Sequence, residues 1–134
     1  MRDVPDEYQP GVCNIGKHET EYRKRIVGYG SGLVSLALYV MFVFFDVPIL
    51  LYPFMLIPVF ISIHGFSEAK HHFCTNYGRN GKYNMTSEVG MTQNVLGRTK
   101  RDQDKKFARA LVKDSLIKSL LITAVLIAIS RLVN

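Results

Sequence analysis

The sequence predicts an all-α integral membrane protein, with a tight two-helix transmembrane hairpin followed by a third transmembrane helix. Residues 26–45 and 49–66 carry no formal charge, and a third apolar segment lies within 113–134. Roughly 20 helical residues cross a hydrocarbon core of about 30 Å, so each segment is long enough to span it. Lys118 and Arg131 lie near the ends of the third apolar segment, where long side chains can reach the interface.

The third segment leaves an alternative in which it lies on the membrane surface instead of crossing. A surface helix has one polar face, but LLITAVLIAIS, at 120–130, is apolar on every side. We therefore expect three spans. The corresponding division is an N-terminal segment over 1–25, a hairpin over 26–66, a basic loop over 67–112 and a third helix over 113–134.

Lysine and arginine are distributed unevenly between the predicted connections. The segment 1–25 holds five of them and the loop 67–112 holds nine, whereas the turn 46–48 holds none. The positive-inside bias places the N-terminal segment and the loop in the cytoplasm. The same residues explain the net charge of +6 and predict attraction to anionic lipid headgroups, without implying nucleic-acid binding.

Small residues predict where the first helix packs. A charged helix is expected to begin at about Lys17 and to run into the first span. Gly28, Gly32 and Ser35 follow within that span at close to helical spacing. Small residues four apart let another backbone approach closely, so we expect a helix-packing face here, with the second span as its nearest partner.

Further local signals concern the later elements. Pro53 and Pro58 each remove a backbone hydrogen bond and predict a kink in the second span. The Asn-Gly pair at 80–81 predicts a two-residue turn. Thr99-x-x-Asp102 can form a capping box that starts a long helix leading into the third span.

Cysteines and histidines flank the hairpin on one membrane face. Because two antiparallel spans return the chain to the face it left, the stretches before and after the hairpin are expected to meet. Zinc accepts tetrahedral sets of cysteine and histidine. The candidate ligands are Cys13, His18, His71, His72 and Cys74.

Other interpretations of these residues stay open, and so does the cofactor. The usual structural zinc pairs, Cys-x2-Cys or His-x3-His, do not occur. Haem would need a second buried histidine beside His64, and a di-iron site would need a second Glu-x-x-His. A Cys13–Cys74 disulfide is the alternative, although a reducing cytoplasm disfavours a permanent one. The simplest interpretation is that these thiols and imidazoles pack at the helix ends.

Two stretches, CNIGKHETEYRKR at 13–25 and HFCTNYGRNGKYN at 72–84, frame the proline-containing hairpin. Together with the final span they resemble a family of small bacterial inner-membrane proteins. That family carries a Cys-Asn-Ile-Gly start, a Phe-Cys pair after the second span and a Tyr-Gly…Gly-Tyr-Asn loop. The resemblance covers 12 to about 130 and is most specific at Cys13 and at 73–74. It implies a bacterial inner-membrane location and implies no activity.

No complete catalytic set can be found in the sequence, whether nucleophile with base, phosphate-binding loop or paired carboxylates. We therefore expect no enzyme, but a non-catalytic accessory subunit or assembly factor that packs against other membrane-protein subunits. The alternative function is a metal-binding or thiol-redox sensor built on the cytoplasmic cysteines and histidines. Transport ranks last, because the spans lack a charged residue inside the membrane.

Overall fold

The computed structural model describes residues 3–133, and the chain over this range is mostly helical. Met1, Arg2 and Asn134, at the ends of the predicted segments 1–25 and 113–134, lie outside the described residues. The elements in order are the first long helix (Lys17–Phe44), the second long helix (Ile49–His71), the short helix (Thr75–Asn80), β1 (Lys82–Tyr83), β2 (Gln93–Asn94) and the third long helix (Arg98–Val133).

All three long helices are long and apolar enough to cross a membrane. The first begins at Lys17, where the charged stretch predicts a start, and it is π-helical over Arg23–Gly30. The second is a 3₁₀-helix over Ile49–Met55 and an α-helix from Leu56 onward. The change from 3₁₀-helix to α-helix lies between Pro53 and Pro58, the two prolines that predict a kink.

The first two long helices approach each other closely through glycines. A Cβ atom added at Gly65 would lie 2.8 Å from Val27 Cγ1 and 2.9 Å from the Gly28 nitrogen. A Cβ at Gly32 would lie 3.1 Å from Ser62 Oγ, and that hydroxyl donates to the Gly28 carbonyl at 2.7 Å. Gly28 and Gly32 thus lie at the contact with the second helix, and only very small residues permit this spacing.

The third long helix has 36 residues and is about 54 Å long at 1.5 Å per residue. A hydrocarbon core of about 30 Å takes little more than half of it. If the apolar C-terminal half crosses a membrane, the N-terminal half extends beyond it. The helix begins at Arg98, so Thr99 lies inside it and not at its N-cap. Small hydroxyl residues form its buried stripe in the membrane half: Ser115, Ser119, Thr123 and Ser130.

Residues 3–16, residues 72–97 and the start of the third long helix together form what we call the extramembrane layer. The range 67–112, for which the sequence predicts a basic loop, contains a packed cluster and regular structure. Phe73, Ala108 and Leu111 form a buried cluster there, and β1 pairs with β2 in antiparallel register.

The predicted two-residue turn at Asn80-Gly81 was wrong, because Gly81 takes φ 64° as the C-cap of the short helix. A helix C-cap and a hairpin turn both favour glycine at positive φ, so the dipeptide alone did not separate them.

Candidate functional site

The N-terminal segment is joined to the chain that follows the second long helix. The backbone nitrogens of Asn14 and Ile15 donate to the His72 carbonyl at 3.1 and 3.2 Å. The Asn14 side chain donates to the Cys74 carbonyl at 2.9 Å and accepts from the Cys74 nitrogen at 2.6 Å. The expectation that the stretches before and after the first two long helices meet is therefore confirmed.

At this junction lies a buried charge cluster of Glu19, Arg23 and Glu68. The Arg23 guanidinium lies 3.3 Å from a Glu19 oxygen and 3.1 Å from a Glu68 oxygen. Both glutamates are nearly inaccessible, with exposed side-chain fractions of 2 % and 3 %, so neither charge is solvated by water. Such charges persist in a protein interior only when they are paired and hydrogen-bonded.

Glu19 binds three further donors of the extramembrane layer. It accepts from the Tyr77 hydroxyl at 3.2 Å, from the Asn84 amide at 3.1 Å and from the Gly90 nitrogen at 3.0 Å. Burial, reinforced by the Glu19 charge, raises the pKa of Tyr77 to about 12, so that its hydroxyl stays a donor. Glu19 therefore connects the first long helix to the short helix and to the loop between β1 and β2.

Glu68 fixes the start of the short helix. One of its oxygens accepts from the Thr75 nitrogen at 2.8 Å and from the Thr75 hydroxyl at 2.9 Å. His64 Nε2 lies 2.9 Å from the same hydroxyl, and His64 Nδ1 lies 3.0 Å from Ser115 Oγ. Because the Thr75 proton is directed to Glu68, its oxygen can only accept from His64, and Nε2 must carry a hydrogen. His64 thereby links the second and third long helices.

The two cysteines are free thiols, so the predicted Cys13–Cys74 bond is not formed in this structure. Cys74 accepts from the Arg23 guanidinium at 3.2 Å, and Cys13 donates to the Glu7 carbonyl at 3.3 Å. Burial, with a contribution from Glu68, raises the pKa of Cys74 to about 11, and burial also raises the pKa of Cys13. Since the thiolate is the reactive form, both groups are poor nucleophiles at neutral pH.

The histidines predicted as metal ligands lie in different surroundings. His18 and His71 are exposed, and the His71 ring lies with its centroid 5.8 Å from that of Phe107. His72 is buried, with Nδ1 at 3.4 Å from the Thr20 hydroxyl. Between residues 3 and 133, no three His, Cys, Asp or Glu side chains are grouped so that they would hold a metal ion. The predicted ligands share one end of the molecule without forming one donor set.

Sequence reasoning missed the residues that organise this region. Glu19 and Arg23 are four apart on a helix, the spacing of an ion pair, but they occur in a charged stretch that is typical of a membrane flank. Asp104 was missed as well, although its carboxylate accepts from the Tyr8 hydroxyl and from the Gly11 nitrogen, each at 2.7 Å. It attaches the N-terminal segment to the third long helix.

Comparison with known proteins adds no assignment. No protein-family model, curated protein or solved structure matches this chain. The resemblance to small bacterial inner-membrane proteins therefore stays a prediction.

Proposed function

We propose that this chain is a non-catalytic accessory subunit or assembly factor of a larger membrane protein complex. The observation that supports the proposal is that both glutamates of the buried charge cluster already accept hydrogen bonds from other groups of the chain. Glu19 accepts from four groups and Glu68 from three, and all of these donors belong to this chain. A catalytic acid or base must be reachable by a substrate, whereas these groups are used to position helices.

Its proposed setting is the bacterial inner membrane, with the first two long helices crossing as a tight hairpin. The N-terminus and the extramembrane layer would then face the cytoplasm. The count of lysines and arginines supports this orientation, because the connection over 46–48 has none. The contacts of Asn14 with Cys74 support the hairpin, since they require both of its ends on one side of the membrane.

The apolar parts of the three long helices together form what we call the membrane layer. A groove within this layer is the surface that we propose for the partner. It has a volume of about 270 Å³ and is lined by residues of all three long helices, including Gly32, Leu36 and Ile122. Its lining is almost entirely apolar, and Leu36 is 60 % exposed. Small residues beside large apolar ones are typical of surfaces on which another transmembrane helix packs.

The test is affinity purification of the tagged chain in a mild detergent, followed by measurement of subunit stoichiometry. We expect a membrane partner in a fixed ratio, lost when Leu36→Trp fills the groove. Leu33→Trp is the matched control, because Leu33 is 68 % exposed on the same helix and does not line the groove. A monomer without partner after gentle extraction, or equal loss in both variants, would contradict the proposal.

The alternative function, a metal-binding or thiol-redox sensor, remains a prediction of the sequence. Its test is the metal content per chain of protein extracted from its native membrane, with Cys74→Ser in parallel. Near-stoichiometric metal that is lost in the variant would establish it. Burial raises the pKa of Cys13 and of Cys74, which disfavours thiol redox reactions and thereby favours the accessory role over a redox sensor.

A further inference from the structure

A second groove runs along the extramembrane layer, between the N-terminal segment and the second and third long helices. One part has a volume of about 720 Å³ and is lined by Lys70, His71 and Phe107, among others. The adjoining part has about 390 Å³ and is lined by Lys106, Phe107 and Ala110, among others. Because Phe107 lines both parts, they form one surface, which we call the interfacial groove.

The interfacial groove lies at the depth of the lipid headgroups. Lys70 is four residues after Phe66, the last residue of the predicted second span, and so lies about 6 Å beyond the hydrocarbon edge. Phe107 is six residues before the predicted third span, or about 9 Å from that edge. Headgroup regions extend the bilayer by about 5 to 8 Å on each side. Lys70 therefore lies within the headgroup region, and Phe107 lies at its outer limit.

The lining combines positive charge with an apolar floor. Lys70 and Lys106 are exposed on the two helices, and Phe107 lies between them. Lys113 is seven residues after Lys106, hence on the same helix face and one step closer to the membrane. Among the described residues that line the groove, Asp3 is the acidic one. The balance of charge suits an anion.

We propose that the interfacial groove binds the headgroup of an anionic phospholipid. The ammonium groups of Lys70 and Lys106 donate to the phosphate oxygens, and the outer part of the headgroup contacts Phe107. Ala110 leaves the space that the lipid occupies, because a larger side chain there would fill the groove. This inference is independent of the proposed partner groove in the membrane layer.

The charge requirement is tested by titrating the detergent-solubilised full chain with phosphatidylglycerol or phosphatidylcholine and measuring bound lipid by native mass spectrometry. We expect phosphatidylglycerol to be retained selectively. Lys70→Gln and Lys106→Gln should each weaken it about fivefold, the usual effect of one lysine near an anionic surface. Lys82→Gln with Lys100→Gln is the control, since both lysines are exposed and lie outside the groove.

The space requirement separates a defined site from diffuse attraction. Ala110→Trp keeps every charge, and it should abolish selective retention, whereas Ala124→Trp, at an exposed position in the membrane half, should not. Circular dichroism and gel filtration verify that the variants fold. Unchanged retention in Ala110→Trp, equal retention of both lipids, or displacement of the lipid by millimolar inorganic phosphate would each overturn the proposal. So would a stoichiometric protein partner found in the groove in place of lipid.

Discussion

The extramembrane layer and the membrane layer of this chain are held together by different contacts. Where the first two long helices meet the extramembrane layer, the buried carboxylates of Glu19 and Glu68 each join several elements through hydrogen bonds. In the membrane layer, the first two helices meet through Gly28, Gly32 and Gly65, with a single hydroxyl bond from Ser62 between them. The contacts around the extramembrane layer depend on paired charges, whereas those in the membrane layer depend on the close approach of two helix surfaces.

The difference follows from what surrounds each region. Lipid is as apolar as a leucine side chain, so helices in a membrane gain little from burying apolar surface and associate through close packing. Outside the membrane, short segments such as Thr75–Asn80 cannot hold their geometry alone and need tertiary partners. Three predictions use this contrast, and the largest effect is expected where the charges are buried.

Glu68→Ala should destabilise the protein by about 3 to 5 kcal/mol, because it removes one of the two carboxylates paired with Arg23 and leaves the buried Thr75 nitrogen without its acceptor. Chemical unfolding in detergent, followed by circular dichroism, measures the change. Glu21→Gln is the control: Glu21 pairs with Arg25 at 3.1 Å, but both side chains are exposed. An exposed pair contributes about 0 to 1 kcal/mol. Equal losses in the two variants would show that the buried cluster has no special role.

The stability of the native protein should fall as the pH rises from 9 to 11. The pKa of Cys74 is raised from 9.0 to about 11, so the folded state keeps a proton that the unfolded state has lost in this window. The stabilisation is complete below pH 9 and is lost through pH 11, by about 3 kcal/mol at most. Unfolding curves across the window measure it. Cys74→Ala should make this fall in stability smaller without abolishing it, because the raised pKa values of Cys13 and Tyr77 act in the same direction. An unchanged profile in that variant would contradict the contribution of Cys74.

Gly65→Ala should cost about 1 to 3 kcal/mol, because its Cβ would overlap Val27 and the backbone of Gly28. Gly30→Ala is the matched control, since a Cβ there meets nothing within 4 Å. Alanine at position 30 should be neutral or stabilising, because alanine loses less backbone entropy than glycine when a helix forms. Thermal unfolding of both variants in the same detergent gives the comparison. Similar stability in both would mean that the first two helices do not depend on close approach.

Several features of the fold could be predicted because they depend on local composition. Long uncharged segments locate the apolar helices, and the first helix starts at Lys17 as its charged stretch predicts. The meeting of the Cys13 and Cys74 stretches, which the hydrogen bonds of Asn14 confirm, was predicted from an expected pair of antiparallel spans. Gly81 could not be assigned from its neighbours, since a left-handed glycine serves a helix C-cap as well as a turn.

The candidate site was harder to predict than the fold. Cysteine and histidine drew attention because metals and redox reactions use them, whereas the groups that organise the site are Glu19, Arg23 and Glu68. In the sequence those three resemble solvated charges at a membrane flank. Only their burial distinguishes these three residues from solvated charges. That burial depends on residues far from Glu19 along the chain, such as Asn84 and Gly90.

The sequence by itself determined which segments are apolar and long enough to cross a membrane, because hydropathy and helix length are properties of contiguous residues. The tertiary structure decided which charges are buried, which thiols remain protonated and which grooves stay open. Those properties arise from residues far apart in the chain, such as Tyr8 with Asp104 and Glu19 with Gly90, and no local pattern encodes such pairs.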